Sequence, residues 1–349
     1  KSFEYYRING RRDARMNNRP YIPSEYSHAM GNSSGNLYDQ WEQIYKYPNL
    51  QGGYIWEWID HAVKYKKDGK EMWAYGGDFG KDQPSDGNFV ADGIVNPDQN
   101  PHPAMAEVKY THQNVGFEEV DINKGLFKIK NRFYFTDLYD YTVKYKILEN
   151  GKVIKETPLN INLHPQDSTI VEIPVSGLKP KPATEYFVNF EVITKKQEGL
   201  VPQGHLIAYD QFVLPAASGK KEYTNLSGPQ LETDISENII TIQSPKVTFV
   251  FDKQSGVVTS YKVDGVEYFN EGFGIQPNFW RGPTDNDYGN GAPKRLQIWK
   301  QSSRDFKVSE ASAKMNGKTA ELTVNYQLPT GNDYNIVYKI YPSGVVNAK

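Results

Sequence analysis

From about residue 113 to the end of the chain, apolar residues recur at every second position in short runs. Tyr141, Val143, Tyr145 and Ile147 fall on one face of an extended segment, as do Tyr186, Val188, Phe190 and Val192. A period of two places alternate side chains on opposite sides of a pleated strand and does not suit a helix. Turn signals separate the runs. Asn150-Gly151 precedes Val153 and Ile154, a pairing that favours a tight hairpin. Several short strands within residues 113–215 predict an immunoglobulin-like β-sandwich.

The alternation resumes after Leu214-Pro215-Ala216-Ala217-Ser218-Gly219-Lys220-Lys221, which reads as a linker, taken here as 216–230. Ile240 and Ile242, then Val247, Phe249 and Phe251, predict further strands. Asp252 to Gly256 and Asp264-Gly265 are turns, and Ile336 to Tyr341 is a late strand. Residues 231–349 are therefore expected to form a partial, larger β-sandwich. The chain's 25 Tyr, 16 Phe and 6 Trp fit sheet packing, and aromatic rings also stack on sugars.

Residues 1–112 read differently. Leu37, Trp41, Ile44 and Tyr45 share one helical face, ending near Tyr47 before Pro48. Gln51 to Asp60 reads as a buried strand. Strand, helix, strand, with acids at the strand ends, is the pattern of a (β/α)8 TIM barrel, whose chemistry lies at the C-terminal ends of its strands. Only about two such strands are legible where a closed barrel needs eight, so this zone is expected to be part of a barrel, and the resemblance given below makes it the C-terminal part. The expected fold is thus multidomain and mainly β.

Composition narrows the function. With 38% hydrophobic and 23% charged residues the chain is expected to fold, and a net charge of −2 gives nucleic-acid binding no support. The basic stretch from Lys1 to Arg19 reads as a solvated connector rather than a phosphate-binding arm. Without cysteine there is no disulfide framework, thiolate metal site or cysteine nucleophile. No run of 18 apolar residues suggests a membrane span. The opening Lys1-Ser2-Phe3, without methionine, points to a fragment or a processed product. The compartment stays open between bacterial cytoplasm and periplasm. His28, His61, His102, His112, His164 and His205 show no zinc spacing, and phosphate-binding and serine-hydrolase motifs are missing.

Glu25 is the leading candidate for chemistry. It sits in Ser24-Glu25-Tyr26-Ser27-His28, at the mouth of an expected strand, where a carboxylate suits a nucleophile or a general acid/base. A buried structural acid is the alternative. His28, three residues on, suits a substrate hydroxyl or the tuning of Glu25. Trp56 is a sugar-stacking platform or a core residue, sharing a side with Trp58 while Glu57 takes the other. Tyr75 to Gly80 and Asn88 to Gly93 are loops whose oxygens suit hard cations. His102 between two prolines reads as structural. Phe279-Trp280-Arg281-Gly282-Pro283-Thr284-Asp285-Asn286-Asp287 reads as a strand connection or as a loop reaching into a cleft.

Five segments, Ser24 to Ser33, Tyr47 to Trp58, Tyr75 to Gly80, Pro101 to Lys109 and Trp280 to Asp287, together resemble glycoside hydrolase family 2, the large β-galactosidases. The resemblance implies a retaining enzyme that cleaves terminal β-D-galactosides, with Glu25 as nucleophile. It implies His28 and Trp56 as galactose contacts, and Arg281 in a mobile loop near the substrate. It further implies sodium on the Phe89 carbonyl and the Asp92 side chain, Mg2+ in the whole enzyme, and a homo-oligomer. Asp92 stands where the family often has Asn. The family's acid/base glutamate, in an Asn-Glu pair on an earlier strand, and its principal magnesium ligands have no counterpart here. Phe269-Asn270-Glu271 is in the wrong zone. The chain alone is therefore expected to be inactive. A non-catalytic carbohydrate-binding or scaffolding protein, and a β-glucuronidase or β-mannosidase of the same family, remain alternatives.

Overall fold

The computed structural model describes residues 20–175, 177–181, 184–215 and 226–349. The expected connector at Lys1 to Arg19, and most of the linker expected at 216–230, lie outside the described residues. The chain divides into two compact units between Lys220 and Lys221.

The first unit opens with three extended segments in parallel alignment. Tyr21 bridges Leu50, Tyr26 bridges Ile55 and Ile59 bridges Val95, each a parallel pairing. Between the first two segments runs α1, Leu37–Lys46. Asp39 in its first turn and Lys46 in its last complement the helix dipole. The Tyr47 N–H closes the helix on the Gln43 carbonyl just before Pro48. Its buried side is Leu37, Gln40, Gln43 and Ile44, whereas Tyr45 of the expected apolar face is exposed.

The buried strand expected at Gln51 to Asp60 is corrected here. The segment is extended and held by single bridges, without a continuous ladder. Its alternation survives, but Tyr54, Trp56 and Trp58 face outward, with Trp58 62% exposed. A parallel strand is buried only when layers cover both of its faces, and the face that carries Tyr54, Trp56 and Trp58 is left largely open.

A hairpin follows, β1 (Val63–Lys67) with β2 (Lys70–Ala74), then α2 (Ala104–Thr111). Beyond α2 lie two antiparallel sheets. One holds β3 (Val115–Asp121), β4 (Leu126–Asn131) and β7 (Ser168–Glu172), in the order β3-β4-β7. The other holds β5 (Tyr141–Glu149), β6 (Lys152–Leu159), β8 (Tyr186–Thr194) and β9 (Leu206–Leu214), in the order β6-β5-β8-β9. The β5–β6 hairpin turns on Asn150 and Gly151, at φ 46° and 79°, the positive values that the sharpest hairpin turn demands. Strands β5 and β8 pair with Tyr145 opposite Phe190, which puts both apolar alternations on one face. That face closes over Phe117, Phe127 and Ile129 of the smaller sheet as one core.

The second unit is again two antiparallel sheets. Strands β10 (Glu232–Ile235), β11 (Ile239–Gln243), β12 (Val247–Asp252), β13 (Val257–Val263) and β14 (Val266–Glu267) pair in sequence order. Short helices α3 (Asp285–Gly289), α4 (Ala292–Arg295) and α5 (Gln297–Ser302) interrupt the β structure. Strands β15 (Lys307–Asn316), β16 (Thr319–Gln327), β17 (Asp333–Ile340) and β18 (Val346–Ala348) form the other sheet. Phe249 and Phe251 meet Leu322, Val324, Tyr326 and Tyr338 in its core.

Candidate active site

The ends of the three parallel segments gather the expected site residues of the first unit. Glu25 lies on a bend, its side chain 50% exposed, and its Oε1 is 3.3 Å from His28 Nε2. The Met30 N–H reaches His28 Nδ1 at 3.4 Å. With Nδ1 accepting, Nε2 carries the proton and aims it at the carboxylate. The Ala29 N–H donates to the Trp56 carbonyl at 2.7 Å, so the turn after Glu25 is fastened to the next segment.

His28 is the hub. Its ring centroid lies 6.5 Å from that of Trp56 and 5.7 Å from that of Phe89. The Trp56 indole N–H donates to Asp92 Oδ2 at 3.3 Å. Glu25, His28, Trp56, Phe89 and Asp92 are thus linked by contacts, although they span 68 positions of sequence.

Asp92 is 1% exposed, and its Oδ1 is buried without a hydrogen-bond partner. A buried carboxylate oxygen left unpaired is costly unless a cation or donor meets it. The Phe89 carbonyl takes no backbone hydrogen bond among the described residues. A free carbonyl and a free carboxylate oxygen on one turn are hard donors of the kind alkali and alkaline-earth cations take, so these residues fit a cation. Among the described residues no group of three or more His, Cys, Asp or Glu could hold a metal. That donor count suits a weakly held monovalent ion more than a divalent one. The Tyr75 to Gly80 loop spends its acid internally, Asp78 Oδ2 accepting from the Tyr75 N–H at 3.0 Å.

His102 has a structural place, as its setting suggests. Its Nε2 lies 2.7 Å from Asp60 Oδ2, and Asp60 Oδ1 accepts the Gly93 N–H at 2.8 Å. Gly93 is wedged there. A Cβ would fall 2.2 Å from the Asp60 nitrogen and 2.5 Å from the Val95 carbonyl oxygen. Sequence reasoning passed over this junction, and over Tyr26, whose hydroxyl meets Trp41 and His112 below the site. The prolines around His102 and the glycine after Asp92 were the available signals.

Arg281 belongs to the second unit. It is 68% exposed, pairs with Asp287 Oδ2 at 2.6 Å and donates to the Gly282 carbonyl at 3.0 Å. Asp287 also accepts the Thr284 N–H at the start of α3. That N–H, then the guanidinium, hold the Asp287 carboxyl below its usual range.

Comparison with known proteins follows the chain in three steps. Residues 4–117 match the family 2 glycosyl hydrolase TIM barrel domain, residues 127–215 match domain 4 of β-galactosidase, and residues 243–349 match the β-galactosidase small chain. A β-galactosidase from Priestia megaterium (strain DSM 319 / IMG 1521) is 36% identical across 93% of this chain and 32% of its own length. One from Alteromonas mediterranea is 34% identical across 78% of this chain and 27% of its own, and one from Klebsiella pneumoniae (strain 342) is 32% identical across 80% and 27%. The chain therefore spans between about a quarter and a third of the length of these curated relatives. With three ordered matches and relatives along most of its sequence, the chain belongs to glycoside hydrolase family 2 and corresponds to a C-terminal portion of its β-galactosidases.

Proposed function

We propose that this chain carries the nucleophile half of a retaining β-galactosidase site. The observation that supports the reading is the contact set centred on His28, which joins a half-exposed carboxylate, an indole platform and an oxygen-lined turn. Glu25 attacks the anomeric carbon of a terminal β-galactoside. An ester bond forms between the carboxylate and that carbon as the bond to the leaving oxygen breaks. The leaving oxygen takes its proton from an acid/base glutamate that this chain does not supply. Water then attacks the same carbon, gives its proton to that glutamate, and frees Glu25 with the configuration retained.

The remaining residues orient the sugar. Trp56 stacks beneath the ring, and His28 holds a hydroxyl while keeping Glu25 in place. The Phe89 carbonyl and Asp92 would hold sodium, which when bound supplies a positive charge and an open position for a sugar hydroxyl. Arg281, in the second unit, keeps only the substrate role that the resemblance implies for its loop. Mg2+ belongs to the whole enzyme, on ligands outside this chain. The domains assigned are the C-terminal part of the barrel at 1–112, an immunoglobulin-like sandwich at 113–215 and part of a terminal sandwich at 231–349. The match of residues 243–349 to a β-galactosidase small chain favours galactosides over glucuronides or mannosides.

Without its acid partner the 349-residue chain is inactive alone, since general acid help is worth about 10²–10⁴ in rate. The test is labelling of the complete enzyme with an activated 2-fluoro-galactoside, followed by peptide mapping. The label is expected on Glu25, and Glu25→Gln is expected to abolish both labelling and turnover. A label on another residue, or turnover retained by Glu25→Gln, would overturn the assignment.

A further inference from the structure

Glu25 stands on a bend in a segment held by single bridges, so its side chain gets little positional restraint from a strand ladder. The next residue supplies it. Adjacent residues of an extended segment point to opposite sides. Glu25 faces outward, and Tyr26 is 3% exposed.

Three elements grip Tyr26. Its N–H donates to the Tyr54 carbonyl at 3.0 Å and its carbonyl accepts from the Trp56 N–H at 3.4 Å, which fixes its backbone to the following segment. Its hydroxyl accepts the Trp41 indole N–H of α1 at 2.9 Å and lies 3.4 Å from Nε2 of His112, the residue that caps α2. The Trp41 and His112 rings meet edge to face with centroids 4.6 Å apart. Gly53 lies close against the Tyr26 ring. A Cβ on Gly53 would lie 3.0 Å from the ring and 3.1 Å from the Pro23 carbonyl oxygen.

The direction of the hydrogen bonds follows from the donors present. Trp41 can only donate, so it occupies one lone pair of the hydroxyl. The hydroxyl proton then goes to His112 Nε2, which accepts it only while the imidazole is neutral. Burial lowers the His112 pKa and so favours the neutral ring. All three polar groups are satisfied together, and removing any one leaves a half-buried partner unpaired.

We propose that Tyr26, gripped by Trp41 and His112, is the positioning residue of the nucleophile: its anchored ring sets where the Glu25 carboxylate stands relative to the sugar carbon. The proposal rests on Glu25 being the nucleophile. It also gives the C-cap of α2 a role in the reaction, because His112 lies three residues before β3 and ties the start of the sandwich to the residue beside Glu25.

The test uses the complete enzyme and an activated aryl 2-fluoro-galactoside, separating the maximal inactivation rate from the half-saturating concentration. Tyr26→Phe is expected to lower the maximal rate by about 10- to 100-fold, the scale of a misplacement near 1 Å, and to leave the half-saturating concentration within about twofold. His112→Gln, whose amide oxygen still accepts the hydroxyl proton, is expected to keep most of the rate, while His112→Phe behaves like Tyr26→Phe. If Tyr26→Phe does not fold, Trp41→Phe reads the same quantity by removing the donor together with part of the ring that meets His112. A folded Tyr26→Phe or Trp41→Phe with the wild-type maximal rate overturns the proposal. So does an equal loss in His112→Gln and His112→Phe. Failure of the wild-type enzyme to label at Glu25 overturns the nucleophile assignment itself, and this proposal with it.

Discussion

The indole N–H of Trp56 and the carboxylate of Asp92 meet at 3.3 Å, and the meeting leaves the second carboxylate oxygen buried and unpaired. One acid thus meets the Trp56 indole through Oδ2 and leaves Oδ1 for the cation proposed above.

Asp92→Ala should remove both oxygens. In the complete enzyme, the sodium concentration for half-maximal activity is expected to rise by at least about tenfold, the lower end of the loss when even a supporting group of a metal site is removed. Asp92→Asn keeps an acceptor for the indole and should fall between the two. Sodium NMR line broadening gives a readout independent of turnover. Equal broadening by wild type and Asp92→Ala would place the ion elsewhere.

Gly93→Ala is expected to destabilise the first unit. The new Cβ would fall 2.2 Å from the Asp60 nitrogen, a backbone atom that cannot swing aside. Overpacking of this kind costs about 1–3 kcal/mol, and more where the backbone must shift. A thermal melt should show a clear loss, and a variant melting with the wild type would show that the junction yields.

Phe190→Ala tests the sandwich core. Phe190 is fully buried, stacked on Phe117 at 5.0 Å and edge-on to Phe127 at 5.1 Å. Truncating such a residue costs about 3–5 kcal/mol. The urea midpoint of the first unit should fall accordingly, with the second unit's transition unchanged.

Asp210 gives the first unit a pH dependence of unusual sign. Burial pushes its carboxyl above the usual range, against the backbone N–H of Gln211 and the hydroxyl of Tyr110, which favour the anion. Just above the ordinary value of about 3.9, folded Asp210 holds a proton that the unfolded chain has released. Stability from this group therefore falls as pH rises through that window. Asp210→Asn has no carboxyl to titrate and still accepts from Tyr110. Its melting midpoint relative to wild type should climb as pH rises from about 4, and a difference that is flat with pH would refute the shift.

Much of the β structure could be read from local pattern. The alternation from Tyr141 to Ile147 lies inside β5, and the Asn150-Gly151 turn sits between β5 and β6. These signals work because a strand's period and a tight turn's positive φ are decided within a few residues. Burial is decided elsewhere, and there the reading weakened. Gln40 and Gln43 are buried in α1 while Tyr45 is exposed, because the face of a helix that is covered depends on what packs there. The segment from Gln51 to Asp60 kept its alternation and lost its cover. The candidate site residues rest on a family pattern and not on spacing. Tyr26 was missed because its partners lie 15 and 86 positions away, beyond the reach of local pattern.

The turn that carries the proposed cation donors is tied down at three successive peptide groups. The Val90, Ala91 and Asp92 carbonyls accept from the N–H groups of His61, Gly31 and Glu57, at 2.9, 3.0 and 2.7 Å, so two distant stretches, around Gly31 and from Glu57 to His61, hold them. An ion arriving there meets donors already in place and has little loop ordering to offset. Affinity at such a site is governed by ligand chemistry rather than by induced fit. Exchanging the carboxylate for an amide should therefore retune which ion binds without reshaping the turn.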